Sequence, residues 1–164
     1  MRCDDFDSLE YLPETGHFFW LKSSRGRKLG VPAGNVDRSS CGYVRIYVQG
    51  KRYQAHRLAW RFFYGQFPPL EMDVDHINGN RSDNRIENLR LASRSENAIN
   101  SGIYISNTTG FKGVSKAGGG FVATANCAGK SYYLGIFDTP QAAHFEYTRF
   151  CQRRFGAFFP KDKL

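Results

Sequence analysis

From Tyr43 to Ala55, YVRIYVQGKRYQA, β-branched and aromatic side chains on both arms flank the turn formers Gln49, Gly50 and Lys51. That pattern predicts a β-hairpin whose polar face carries Arg45 and Arg52. At Ala55 the period changes. Ala55, Leu58, Ala59, Phe62 and Phe63 recur at helical spacing until Gly65 and Pro68-Pro69 end the element. Arg57 and Arg61 sit four apart on its other face, beside His56 at the strand-to-helix junction.

Beyond the prolines, Glu71 to Ile77 reads as a strand, Asn78 to Arg85 as a polar loop rich in Asn, Asp and Gly, and Asn88 to Ala92 as a second strand. Ser93-Arg94-Ser95-Glu96 has the form of a capping box, so a helix is expected to begin at Arg94 with Asn97 in its first turn. The order is strand, long loop, strand, helix. Residues 101–109 read as a linker. Three further strands are expected around Gly113 to Lys116, Phe121 to Cys127 and Ser131 to Phe137, broken by glycine turns. Thr139 as N-cap and Pro140 at the first helical position open a last helix, with Ala143, Tyr147, Phe150 and Cys151 as its apolar stripe and Gly156 as its stop. Phe145, Tyr147 and Phe150 are expected in the core, and Arg149, Arg153 and Arg154 along the helix flank.

The class is therefore α+β. The expected domains are 1–100, a 101–109 linker, and 110–164. With 41% hydrophobic residues there is enough material for packed cores. The formal net charge of +8 is spread along the chain and suits a polyanion such as nucleic acid. Cys3, Cys41, Cys127 and Cys151 form no C-x-x-C pair, so free thiols are expected rather than a zinc knuckle or a disulfide framework. The acidic start, MRCDDFDSLEYLPETG, lacks an apolar leader, and no stretch is long enough to cross a bilayer. The expected location is the cytoplasm, with no membrane partner.

Hydrolysis of a phosphodiester needs a general base for water, a cation beside the phosphate and leaving oxygen, and a scaffold that aligns both. Asp75-His76 at the end of a strand and Asn97 at the start of the following helix are of the right kinds. The carboxylate and amide oxygens are hard ligands that favour Mg²⁺ or Mn²⁺, and His76 can accept a proton. An EF-hand does not fit, because a loop starting at Asp73 or Asp75 puts Asn78 or Asn80 where glycine is needed. His17, by an aromatic strand, is expected to be structural, and His144 to be exposed.

The run VDHINGNRSDNRIENLRLASRSEN, with the lead-in AHRLAWRFFYGQFPP, resembles the HNH homing endonucleases of phages and group I introns. That resemblance covers roughly residues 17–100. It implies a ββα-metal core, preceded by a hairpin and helix, that cuts DNA with one divalent ion. By that resemblance Asp75 and Asn97 are the metal ligands, His76 is the general base, and Asn88 braces the loop. The last position is Asn97, not the His of the family's name. Residues from Gly110 to Phe159 resemble the AP2 domain, which implies a three-stranded antiparallel sheet plus helix that holds duplex DNA. Phe121 stands where that family usually has Trp, and Val122 and Thr124 where it has polar readers. DNA contacts are expected from Arg45, Arg52, His56, Arg57, Arg61, Arg81, Arg85 and Arg94, and from Lys112, Lys116, Lys130 and Tyr133, with Ser131 beside them. The expected protein is a metal-dependent DNA endonuclease, monomeric or homodimeric. The alternative is a non-catalytic DNA-binding regulator on the same scaffold.

Overall fold

The computed structural model describes residues 6–24, 28–37, 39 and 42–159. Cys3 and Cys41 lie outside them; Cys127 and Cys151 are buried free thiols. The chain divides into two compact units, Met1–Leu91 and Ala92–Leu164. Among the described residues no helix is long and apolar enough to cross a membrane.

The first unit opens with an antiparallel hairpin of β1 (Leu9–Leu12) and β2 (His17–Trp20), whose alternation buries Leu9, Tyr11, Phe18 and Trp20. A second antiparallel sheet joins β3 (Asn35–Asp37) to β4 (Tyr43–Val48) and β5 (Lys51–Gln54). Gln49 and Gly50 take positive φ in the β4–β5 turn, the conformation that matches the twist of a tight hairpin. Lys51 is already in the strand.

Helix α1 (Ala55–Tyr64) follows without a break and ends on Gly65 in the left-handed conformation. It buries Ala55, Leu58 and Ala59 against Ile46, Val48 and Phe18, and each large side chain so removed from water contributes about 1.5–3 kcal/mol. Phe63, expected in that stripe, is instead half exposed beside Tyr64, while the polar His56 is buried. Val74 and Leu89 pin β6 (Asp73–His76) and β7 (Leu89–Ala92), a hydrogen-bonded pair, to the same core. A short 3-10 turn at Ile86–Asn88 leads into β7.

The second unit begins at the end of β7. Helix α2 (Arg94–Asn100) starts with a complete capping box: the Ser93 hydroxyl accepts from the Glu96 amide, and the Glu96 carboxylate accepts from the Ser93 amide. Its Ile99 packs with Cys127, Tyr147, Cys151, Phe155 and Phe159. The strands β8 (Val114–Ala117), β9 (Gly120–Cys127) and β10 (Lys130–Phe137) form an antiparallel sheet with β9 central and a bulge between Tyr133 and Gly135. Helix α3 (Pro140–Phe155), capped by Thr139, packs on that sheet. Gly113 makes room for α3: a Cβ there would lie 2.1 Å from the Tyr147 ring.

Tyr147 and Phe150 sit in or against this core as expected, but Phe145 is 64% exposed, because at its place on α3 the side chain points away from the sheet. His144, expected to be exposed, is half buried. Its Nδ1 lies 3.0 Å from the Lys112 carbonyl oxygen and its ring stacks on Tyr147.

Candidate active site

Strand β6 presents two consecutive buried side chains of opposite function. Asp75, 5% exposed, accepts a hydrogen bond from Arg90 Nε on β7 at 2.9 Å. That pairing compensates for taking the carboxylate out of water. His76, 3% exposed, has Nε2 3.3 Å from Asn84 Oδ1.

Asn84 is itself buried, and its Nδ2 donates to the Ser82 carbonyl at 3.2 Å, which turns its oxygen toward the imidazole. An amide oxygen only accepts, so this contact favours the tautomer with the ring proton on Nε2. Burial lowers the pKa of His76, against the Asn84 hydrogen bond and the charges of Asp75 and Asp83, which raise it. The ring is neutral near neutral pH and is a competent base.

Three rings pack together here. His56 meets His76 edge to face, with centroids 5.0 Å apart and planes at 77°, and Tyr43 lies 5.1 Å from His56 and 5.9 Å from His76. The Arg81 guanidinium stands 5.1 Å over the Tyr43 ring, within cation–π range. His56 is 4% exposed, and its Nδ1 has no hydrogen-bond partner among the described residues. Burial pushes its pKa down to about 3, with His76 and Arg57 adding to the shift.

The loop between β6 and β7 is tied to itself. Asn88 Oδ1 accepts from the Asn78 amide at 3.0 Å while its Nδ2 donates to the Asp83 carbonyl at 2.8 Å, so one buried side chain spans the loop. Asp83 accepts from Arg85 Nε and Nη2 at 2.9 and 2.8 Å and from Asn78 Nδ2 at 2.8 Å. The Arg85 hydrogen bonds hold the Asp83 carboxyl down at about 2.

Asp75, His76, Asn88 and Arg81 thus belong to one neighbourhood of the first unit. Asn97 is in the second unit, half buried in the first turn of α2. Of the other residues expected at DNA, Arg45 pairs with Asp37 at 2.6 Å, Arg85 with Asp83 and Glu87, and His56 is inside. Arg52 is exposed, and Arg57 and Arg61 are half buried.

In the second unit Arg94, Lys116, Lys130, Ser131 and Tyr133 are exposed. Lys112 is engaged elsewhere: its ammonium donates to the carbonyls of Ala98 and Ile99 at 2.7 and 2.8 Å and to that of Ser101, satisfying the C-terminal end of α2.

Four residues of the site carried no sequence signal. Tyr43 was one of several aromatic strand residues, Asn84 one of several loop amides, and Arg90 only the last letter of Asn-Leu-Arg. Tyr11, whose hydroxyl donates to the Asn84 carbonyl at 2.7 Å, is 73 positions away.

Residues 53–99 match the family model described as HNH endonuclease. Over 89 residues the chain is 28% identical to SPbeta prophage-derived YosQ of Bacillus subtilis (strain 168), named as a candidate HNH homing endonuclease, covering 54% of this chain and 50% of that protein. An uncharacterized HNH endonuclease of Acanthamoeba polyphaga mimivirus is 29% identical over 123 residues, 75% of this chain and 64% of its own. Protein 3.8 of Escherichia phage T7 is 37% identical over 73 residues, 44% of this chain and 57% of its own. The chain thus spans half to just under two thirds of the curated relatives it matches. No solved structure matches.

Proposed function

We propose that this chain is a divalent-metal-dependent DNA endonuclease of the homing type. The reading is carried by one observation: a buried histidine with Nε2 3.3 Å from Asn84 Oδ1, next to a buried carboxylate at the same strand end. The match of residues 53–99 to the HNH endonuclease model supports the same reaction class.

The donor chemistry fits Mg²⁺ or Mn²⁺. Among the described residues no three His, Cys, Asp or Glu side chains gather as a zinc-type ligand set. A single carboxylate with an amide oxygen, completed by water and phosphate, is how Mg²⁺ is commonly held. Asp75 is the carboxylate, and Asn97 is the second ligand on the strength of the sequence pattern. When bound, the ion neutralises charge on the phosphate and the departing oxygen.

The chain's own residues supply the rest. Nδ1 of His76 takes the proton from the attacking water while Nε2–H stays on Asn84 Oδ1, so the ring does not rotate away as it becomes cationic. Asp75 and Asp83 favour that cation electrostatically. Asn88 keeps the loop that carries Asn84 closed.

The second unit, with its exposed Lys116, Lys130 and Tyr133, is the AP2-like module that holds duplex DNA by its backbone. The protein acts in the cytoplasm of a bacterial or phage-infected cell.

Purified protein with supercoiled plasmid and Mg²⁺, next to a His76→Ala variant, tests the reading. Cleavage by the wild type with a loss on the order of 10²–10⁴-fold in the variant is expected. If both leave plasmid and candidate target DNA intact across a range of divalent metals, the enzyme reading fails. Equal cutting by both removes His76 as the base.

A further inference from the structure

We propose that the N-terminal β1–β2 hairpin is a positioning arm for the nuclease base, acting through Tyr11 on Asn84 and through Asn84 on His76. This rests on the endonuclease reading and adds to it residues that lie outside the family-matched segment 53–99.

Three contacts carry it. The Tyr11 hydroxyl donates to the Asn84 carbonyl at 2.7 Å. The Ile86 amide donates to the Pro13 carbonyl at 3.1 Å, so the hairpin grips the loop on both sides of Arg85. At the hairpin turn, Gly16 has φ +73°, and a Cβ there would lie 2.4 Å from the Arg85 nitrogen and 2.5 Å from the Asn84 carbonyl carbon. Backbone thus lies directly on backbone, an approach that only glycine permits.

Tyr11 is well placed to be a fixed point. It is 9% exposed and packs on Phe18 with ring centroids 4.7 Å apart. Burial raises its pKa, with Glu14 and Asp83 adding to the rise, so the phenol stays a donor. Asn84 then has its backbone held by Tyr11, its Nδ2 by Ser82, and its Oδ1 aimed at His76. Without the first hold, the amide and with it the imidazole tautomer are less well determined.

The experiment reads the tautomer directly, by long-range proton–nitrogen NMR of the isotope-labelled full chain, alongside plasmid-cleavage kinetics. In the wild type His76 carries its proton on Nε2. Tyr11→Phe moves part of the His76 population to the Nδ1–H form and lowers kcat roughly tenfold, with KM nearly unchanged. Asn84→Ala gives the same mixture or more, whereas Asn84→Asp, which keeps an acceptor oxygen in place, retains the Nε2–H form. A wild-type tautomer and wild-type kcat in Tyr11→Phe overturn the proposal. If the wild type cuts no DNA, the nuclease reading fails on its own account, and the NMR comparison alone still decides whether the hairpin sets the ring.

Discussion

His56 is the residue whose chemistry fits its surroundings worst. A buried ring nitrogen without a partner costs about 1–3 kcal/mol, and an apolar ring in its place removes that cost. Its pKa, near 3 when folded against 6.5 in the free side chain, also gives the protein a pH dependence. Between those values the unfolded chain binds the proton and the folded one does not. Stability is therefore fully present above about pH 6.5 and falls as pH drops toward 3, by up to about 1.4 kcal/mol per pH unit from this group. His56→Phe is expected to raise the denaturation midpoint at about pH 7 and to flatten the loss between about pH 6 and pH 4. Denaturant titrations of both proteins across that range check it. An unchanged slope in the variant would mean that other groups carry the acid sensitivity.

Elements were the most legible level in the sequence, for a physical reason. The hairpin of β4 and β5, helix α1 with its glycine stop and the capping box of α2 are each written in residues a few positions apart, where period and end signals act. The capping box provides a clean test. Ser93→Ala removes the acceptor of the Glu96 amide and is expected to cost about 1 kcal/mol, read as a shift in the denaturation midpoint at constant slope.

What the sequence did not show was anything that depends on a distant partner. Tyr11 and Asn84 meet across 73 positions, and Tyr43 reaches His76 only because β4 and β6 share one core. No local period encodes such meetings. For the same reason the basic residues looked alike in the sequence, although Lys112 is held by α2 carbonyls while Lys116 is exposed. The buried Asp75-His76 pair at one strand end, by contrast, was legible as a candidate because a motif places the two side by side.

On the scale of the whole molecule, the proposed DNA binding is expected to depend strongly on salt, in keeping with a net charge of +8. Only cations that reach phosphate contribute to that dependence. With Lys116 as one of the proposed DNA contacts, Lys116→Ala is expected to reduce the slope of log K against log salt by about one, the effect of losing one phosphate contact. Lys112→Ala is expected to leave the slope as it is and to lower thermal stability, since its ammonium completes the end of α2. Fluorescence anisotropy with a duplex at several salt concentrations separates the two. A drop in slope for Lys112→Ala would mean that its ammonium leaves the helix for DNA.

The self-tied loop between β6 and β7 also sets how the protein ages. Asn78 precedes Gly79, a pair in which the glycine amide nitrogen readily attacks the side-chain carbonyl carbon, expelling ammonia to give a succinimide that water then opens to aspartate or isoaspartate. In the folded chain that side chain is held away, its oxygen by the Asn80 amide at 2.8 Å and its nitrogen on Asp83 at 2.8 Å. Deamidation is therefore slow while the loop is closed and speeds up once it opens. The product faces the Asp83 carboxylate with a second negative charge, so the loop, once opened by ageing, is opposed from closing again. Stored samples are expected to accumulate a more acidic species by isoelectric focusing, and the share of it that peptide mapping places at Asn78 reports how often the loop beside His76 has been open.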